Sequence, residues 1–254
     1  MIPKVRAVTF DDFLTLRYPM KQREDIIYPI LTALRRKLDV NEEQFLKQYF
    51  KENQLYQKRL RKTLRETLLD DIVASVLASC GYDSQTIYRN VKEAVDYGLA
   101  TRKAKWFPNV RRMLLTLRSE GYKLGLISNT HWRFLPSLRE QFGEFFDVIT
   151  LSYEHGYIKP HPSIFMITLE KLGVTSNQSL HVGDDPIADI QGAKNIGMKT
   201  AFVNKKEAKS NADIEVKRIA ELTTYLVQAR KRGLVENKHM AISSSRLHLW
   251  RRKT

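Results

Sequence analysis

Val8-Thr9-Phe10-Asp11-Asp12-Phe13-Leu14-Thr15-Leu16 decides how the rest of this chain is read. The run Val5–Phe10 is β-branched and aromatic and stops at two aspartates, the pattern of a buried strand that ends in a loop. Three segments of the same kind follow in order. They are Leu126-Ile127-Ser128-Asn129-Thr130, then Gly156-Tyr157-Ile158-Lys159-Pro160, then His181-Val182-Gly183-Asp184-Asp185-Pro186 with Asp189 shortly beyond. Asp11, Ser128 and Asp184 each fall at a predicted strand end, and Lys159 lies in the loop after another. In open α/β sheets such loops gather outside the carboxyl ends of the strands, so four distant segments can converge on one spot.

Between the first and second of these segments the texture changes. From about Met20 to Lys105, Ile26, Ile27, Ile30, Leu31 and Leu34 recur at helical spacing, as do Leu64, Leu68, Ile72, Val76 and Leu77. Asn41 precedes a helix start at Glu42, and Asp83-Ser84 precede another. This stretch reads as about four helices with no strand signal. After Trp106 the pattern alternates. Helices are predicted over 110–117, 134–142, 163–172, 185–196 and 214–226, and strands over 123–128, 146–151, 179–182 and 199–203. Alternation of this kind predicts a parallel sheet covered on both faces. The fold class is therefore α/β: a Rossmann-like core over 1–16 and 107–226, an inserted all-helical cap over 17–106, and a basic tail over 227–254.

The chain has 254 residues, 43% hydrophobic and 28% charged, which is ordinary for a globular protein with a sizeable core. One cysteine, Cys80, leaves no internal disulfide, and its helical setting reads as packing. No run approaches the roughly 18 apolar residues of a membrane span, and no apolar leader precedes the first strand, so a cytoplasmic protein without membrane contact is expected. The formal charge of +15 invites a nucleic-acid reading. Much of it lies in the tail, where Arg230, Lys231, Arg232, Lys238, Arg246, Arg251, Arg252 and Lys253 face Glu236 alone. Such a tail reads first as a solvated extension and second as a contact for a polyanion.

The four segments bring together a carboxylate nucleophile, donors for an oxyanion, a cation and an acidic metal site. That set suits phosphoryl transfer through an aspartyl intermediate. With the insert placed after the first strand, the sequence resembles the haloacid dehalogenase superfamily, in the subgroup with a helical cap at that point. The resemblance covers roughly residues 5–205. It implies that Asp11 is the nucleophile, since Thr15 and Leu16 set the register of the family's Asp-x-Asp-x-Thr motif. It further implies that Ser128 and the amides around Asn129 bind the transferring group, and that Lys159 balances charge. Asp11, the backbone carbonyl of Phe13 and Asp184 are expected to ligate Mg²⁺, with Asp185 or Asp189 supporting them.

The second aspartate of the motif, the usual general acid, is replaced here by Phe13. Three readings follow. A Mg²⁺-dependent phosphohydrolase would act on a small anionic substrate, a phosphate ester or acyl phosphate. A metal-independent 2-haloacid dehalogenase-type hydrolase would need no proton for halide. A catalytically impaired chain would serve as a binding or regulatory module. Asp12 is not expected to substitute, because neighbouring side chains at a strand end diverge. Arg61 and Arg65 on the cap and His131 after the second segment are the expected substrate contacts. His155 and His161 are weaker proton donors, and His181 is a packed core residue.

Overall fold

The computed structural model describes residues 5–19, 27–64, 69–100, 104–130, 135–204 and 207–231. Strand β1 (Ala7–Phe10) is buried along its whole length. It lies between β4 (Lys123–Ser128) and β6 (Ser179–Gly183), both parallel to it, with Phe10 opposite Leu126 and Val182. Outward on one side comes β5 (Val148–Leu151). On the other come β7 (Lys199–Val203) and β8 (Ile214–Val216). All six are parallel, in the order β5-β4-β1-β6-β7-β8. The chain builds outward from β1 to β5 and then crosses back to β6, so the strand order reverses beside β1. That reversal opens the crevice at its carboxyl end.

Two layers of helix cover the sheet. On one face α5 (Val110–Ser119) buries Val110, Met113, Leu114 and Leu117, one stripe at helical spacing. These pack with Leu222 and Leu226 of α10 (Glu221–Lys231) against Val8, Phe10, Leu126 and Val182. On the other face α8 (Pro162–Leu172) sets Ile164, Phe165 and Leu169 against Ile127 and Ala193. Pro162 opens α8 and Gly173, at φ 62, closes it, as the preorganised first turn and left-handed last residue of a helix require.

The insert has a core of its own. Helices α1 (Ile27–Arg35), α2 (Glu42–Thr63), α3 (Leu69–Ser79) and α4 (Ser84–Ala100) bury Ile27, Ile30, Leu34, Phe45, Val76, Leu77 and Val95 together. Asn41 and Asp83 accept from the first-turn amides of α2 and α4, as read. Cys80 packs at the edge of this cluster, where burial raises its thiol pKa. Among the described residues no helix is long and apolar enough to cross a membrane.

Three readings need correction. The insert is not strand-free: β2 (Arg17–Pro19) and β3 (Ala104–Trp106) form an antiparallel ribbon where the chain leaves and re-enters the core. Three-residue strands pair through backbone and leave no periodic signature. Residues 214–226 are not one helix, because Ile214 and Val216 complete the sheet edge before α10 starts at Glu221. The helix read over 185–196 begins as a π-helix, Pro186–Gln191, before one α turn, α9 (Gly192–Asn195). Helix α10 also runs past residue 226 to Lys231, and residues 232–254 of the basic tail lie outside the described residues.

Candidate active site

Asp11 follows β1 directly, and its amide donates to Val182 O at 2.9 Å, so the crevice position is set by sheet pairing itself. Lys159 reaches it from the loop between α7 (Ser152–His155) and α8. The ammonium stands 2.6 Å from Asp11 Oδ1 and 2.6 Å from Asp189 Oδ1, and the lysine is 3% exposed. Asp189 lies in the π-helical turn Pro186–Gln191 and is buried. Its other oxygen accepts from the Asp185 amide at 3.0 Å. A Cβ on Gly183 would fall 2.2 Å from that carboxylate, so glycine alone fits there.

One cation facing two buried carboxylates sets the electrostatics. Burial acts to lower the pKa of Lys159, but Asp11 and Asp189 outweigh it and keep the ammonium charged. Burial likewise acts to raise Asp189, yet Lys159 holds it well below the ordinary range. Asp11 gets what is left. Burial pushes it up to about 8, with Asp189 adding to the effect and Lys159 only partly opposing it.

Asp184 completes an acidic group. One carboxylate oxygen each from Asp11, Asp184 and Asp189 lies within 4.8 Å of the others, and Thr15 Oγ1 donates to Asp184 Oδ1 at 3.2 Å. The three carboxyl groups supply only hard oxygen donors. That donor set fits a divalent ion such as Mg²⁺. Both oxygens of Asp189 are engaged, by Lys159 and by the Asp185 amide, whereas the hydrogen bonds of Asp11 and Asp184 to Lys159 and Thr15 each use Oδ1. Asp185 points elsewhere: its Oδ1 caps the following turn through the Ile187 and Ala188 amides, both at 2.8 Å. Its backbone amide meets the site by donating to Asp189 Oδ2.

Ser128 ends β4 and is buried. Asn129 does something that its spacing did not reveal. Its side chain accepts from Lys159 N at 2.8 Å and donates to Lys159 O at 3.2 Å, clipping the lysine's backbone across thirty residues of sequence. Thr130 is held in turn by Ser152, whose Oγ accepts its amide at 2.9 Å.

His181 is fully buried, as read, but it also braces the site. Its Nδ1 lies 2.9 Å from Thr9 Oγ1 and its Nε2 3.4 Å from Asp189 Oδ1, and burial lowers its pKa. His161 caps α8 through Nδ1 and stacks on Tyr157 with centroids 4.2 Å apart, which ties its ring to the loop. Burial, helped by Lys171, lowers the pKa of His155.

Phe13, which the register of the family's Asp-x-Asp-x-Thr motif sets at the second aspartate, is 36% exposed. Asp12 does not replace it, because both its oxygens are taken by the Arg17 guanidinium at 2.7 and 2.5 Å. Of the expected substrate contacts, Arg65 and His131 lie outside the described residues. Arg61 falls within α2, with its side chain outside the described part.

The model of haloacid dehalogenase-like hydrolases matches residues 24–203. The chain belongs to this family. Its relatives include the glyceraldehyde 3-phosphate phosphatase of Pyrococcus abyssi, 40% identical over 97 residues, covering 37% of this chain and 41% of that protein. The phosphoglycolate phosphatase of Pseudomonas putida is 37% identical over 95 residues, covering 37% and 35%. The chain thus spans less than half the length of these curated relatives. Among solved structures, a 2-haloacid dehalogenase from Pseudomonas syringae aligns with a TM-score of 0.68 at 25% identity, covering 88% of this chain and 99% of that one. A family phosphatase from Thermococcus onnurineus aligns at 0.59 and 25%, covering 87% and 98%.

Proposed function

We propose that the protein is a Mg²⁺-dependent phosphohydrolase acting on a small phosphorylated metabolite through an aspartyl-phosphate intermediate. The observation that carries this reading is the acidic group of Asp11, Asp184 and Asp189, two of which share the Lys159 ammonium. The phosphatase names of its curated relatives support the substrate class. Asp11 attacks phosphorus through a carboxylate oxygen, the bond to the leaving oxygen breaks, and an acyl phosphate forms. Water then attacks phosphorus, releasing phosphate and restoring Asp11. Lys159 holds the phosphoryl oxygens and keeps the nucleophile oriented, while Ser128 and the amides around Asn129 donate to the same oxygens. Asp11, Asp184 and the Phe13 carbonyl would hold Mg²⁺. When bound, it polarises the phosphoryl group and allows Asp11 to ionise. We place the reaction in the cytoplasm, on composition alone.

Phe13 cannot protonate a leaving group, so good leaving groups, aryl and acyl phosphates, are the favoured substrates. The same residue gives a second reading weight. An aromatic side chain there, together with the likeness to the P. syringae dehalogenase, fits a 2-haloacid hydrolase whose leaving halide needs no proton. One experiment separates the two. Phosphate release from a panel of esters and acyl phosphates is measured with Mg²⁺ and with EDTA, beside chloride release from 2-chloropropionate. Phosphate release that needs both Mg²⁺ and Asp11 supports the first reading, and metal-independent chloride release replaces it with the second.

A further inference from the structure

The geometry points to Asp12 and Arg17 as a positioning pair that holds the nucleophile loop in its working shape, an inference that rests on the phosphohydrolase reading. Asp12 follows Asp11, and Arg17 is the first residue of the ribbon leading to the cap. The guanidinium meets both carboxylate oxygens, and both residues are buried. The backbone repeats the closure. Leu16 N and Arg17 N both donate to Asp12 O, at 2.8 and 3.1 Å, and Leu14 N donates to Arg17 O at 2.7 Å. The turn needs Leu14 at φ 65, a conformation that leucine adopts only when its surroundings impose it. Between the two charged residues lie Phe13, in the general-acid position, and Thr15, the donor to Asp184.

Arg17 also reaches outward. Its Nη1 donates to Gln141 Oε1 at 2.8 Å, and its guanidinium stacks on Phe142 at 4.6 Å. Both belong to α6 (Leu135–Phe142), the helix after the Ser128-Asn129 loop. Phe142 in turn meets Trp106 of β3, with centroids 4.8 Å apart. One side chain therefore ties together the nucleophile loop, the root of the cap ribbon and the helix behind the second loop.

A buried ion pair is an inefficient way to add stability, since apolar residues of similar volume commonly do as well or better. What the pair offers here is a single two-pronged geometry. This separates positioning from simple support. The double variant Asp12→Leu/Arg17→Met removes both charges together and leaves neither stranded. On the full chain it should unfold at the same temperature as the unaltered protein or higher. With p-nitrophenyl phosphate and Mg²⁺ its kcat should fall about 10- to 100-fold with little change in KM, as expected when a reacting group is misplaced by about 1 Å. Amide hydrogen exchange at Leu14, Leu16 and Arg17 should quicken while the sheet core stays protected. Unchanged kcat with unchanged exchange overturns the inference, as does a fall in kcat that only tracks a fall in stability. Should the double variant fail to fold, Arg17→Lys decides, because it keeps the charge but not the fork. Reduced kcat and faster loop exchange support the pair, and wild-type values for both overturn it. If the unaltered protein releases no phosphate, the phosphohydrolase reading fails, and loop exchange in the same variants still decides whether the pair holds the loop.

Discussion

The Lys159 ammonium lies 2.6 Å from Asp11 Oδ1, yet it does not leave Asp11 an ordinary carboxylate, because burial outweighs it and Asp189, which shares the cation at the same distance, adds to the effect of burial. Folding therefore raises the Asp11 pKa from 3.8 to about 8. Between those values the folded state holds a proton that the unfolded chain has released. Stability from this group accordingly falls as pH rises across that window, and is flat on either side. In EDTA, Asp11→Asn should be more stable than the unaltered protein at pH 8 and nearly equal to it at pH 4. Thermal unfolding across pH checks this, and an advantage that grows as pH falls would contradict it. Mg²⁺ should stabilise the unaltered protein more than the variant, because the ion offsets the charge that the substitution has already removed.

Gly183 leaves no room for a side chain against the Asp189 carboxylate. Asp189 is held by Lys159 and the Asp185 amide, so it cannot yield to a new methyl group at 2.2 Å without losing one of them. Gly183→Ala should destabilise the fold by about 1–3 kcal/mol, the usual penalty of overpacking, and should reduce phosphate release by more than that loss explains. Denaturant unfolding beside activity at low temperature checks both. A variant with wild-type turnover would show that Asp189 can be displaced without harm.

Phe13 should govern the choice of leaving group. The natural protein is expected to hydrolyse p-nitrophenyl or acetyl phosphate much faster than glycerol phosphate. Phe13→Asp should narrow that ratio by raising alkyl turnover, with an upper bound of about 10²–10⁴-fold set by general acid catalysis. At 36% exposure the new carboxylate stays partly solvated, so its cost in stability is small. Equal rates on alkyl and aryl esters in the natural protein would mean that another residue supplies the proton.

Asn129 is predicted to act through Lys159. Asn129→Ala removes an acceptor and a donor from the lysine's backbone and should cost about 1 kcal/mol of stability, the usual net worth of such bonds. Turnover should fall further than that, about tenfold or more, through a misplaced ammonium. Asn129→Asp keeps the acceptor for Lys159 N, and in kcat it should lie between the alanine variant and the unaltered protein. Wild-type kcat for alanine would refute the role.

Much of the core was legible because a buried parallel strand writes itself as a continuous apolar run. Lys123–Ser128 and Lys199–Val203 were read with the bounds observed, and Asp11, Ser128 and Asp184 fell at strand ends as read. The shortest paired elements were not legible. The ribbon of β2 and β3 and the edge strand Ile214–Val216 are three residues each, too short for any period to show. Side-chain ties were missed for a related reason. Asn129 and Lys159 are thirty residues apart, and Thr9, His181 and Asp189 come from three separate elements, so no local pattern records them.

By itself the sequence determined the α/β class, the helical insert after the first strand, and which acids, hydroxyl and lysine stand in loops at one end of the sheet. Those properties follow from hydrophobic period and from the order of segments, both of which are local. Tertiary structure decided which of the neighbouring acids face the crevice. Asp11, Asp184 and Asp189 converge on one spot, with Lys159 between Asp11 and Asp189, whereas Asp12 is paired with Arg17 and Asp185 caps a helix start. Adjacent carboxylates are chemically alike along the chain. They differ only once folding has allotted each its own cation, amide or share of buried charge.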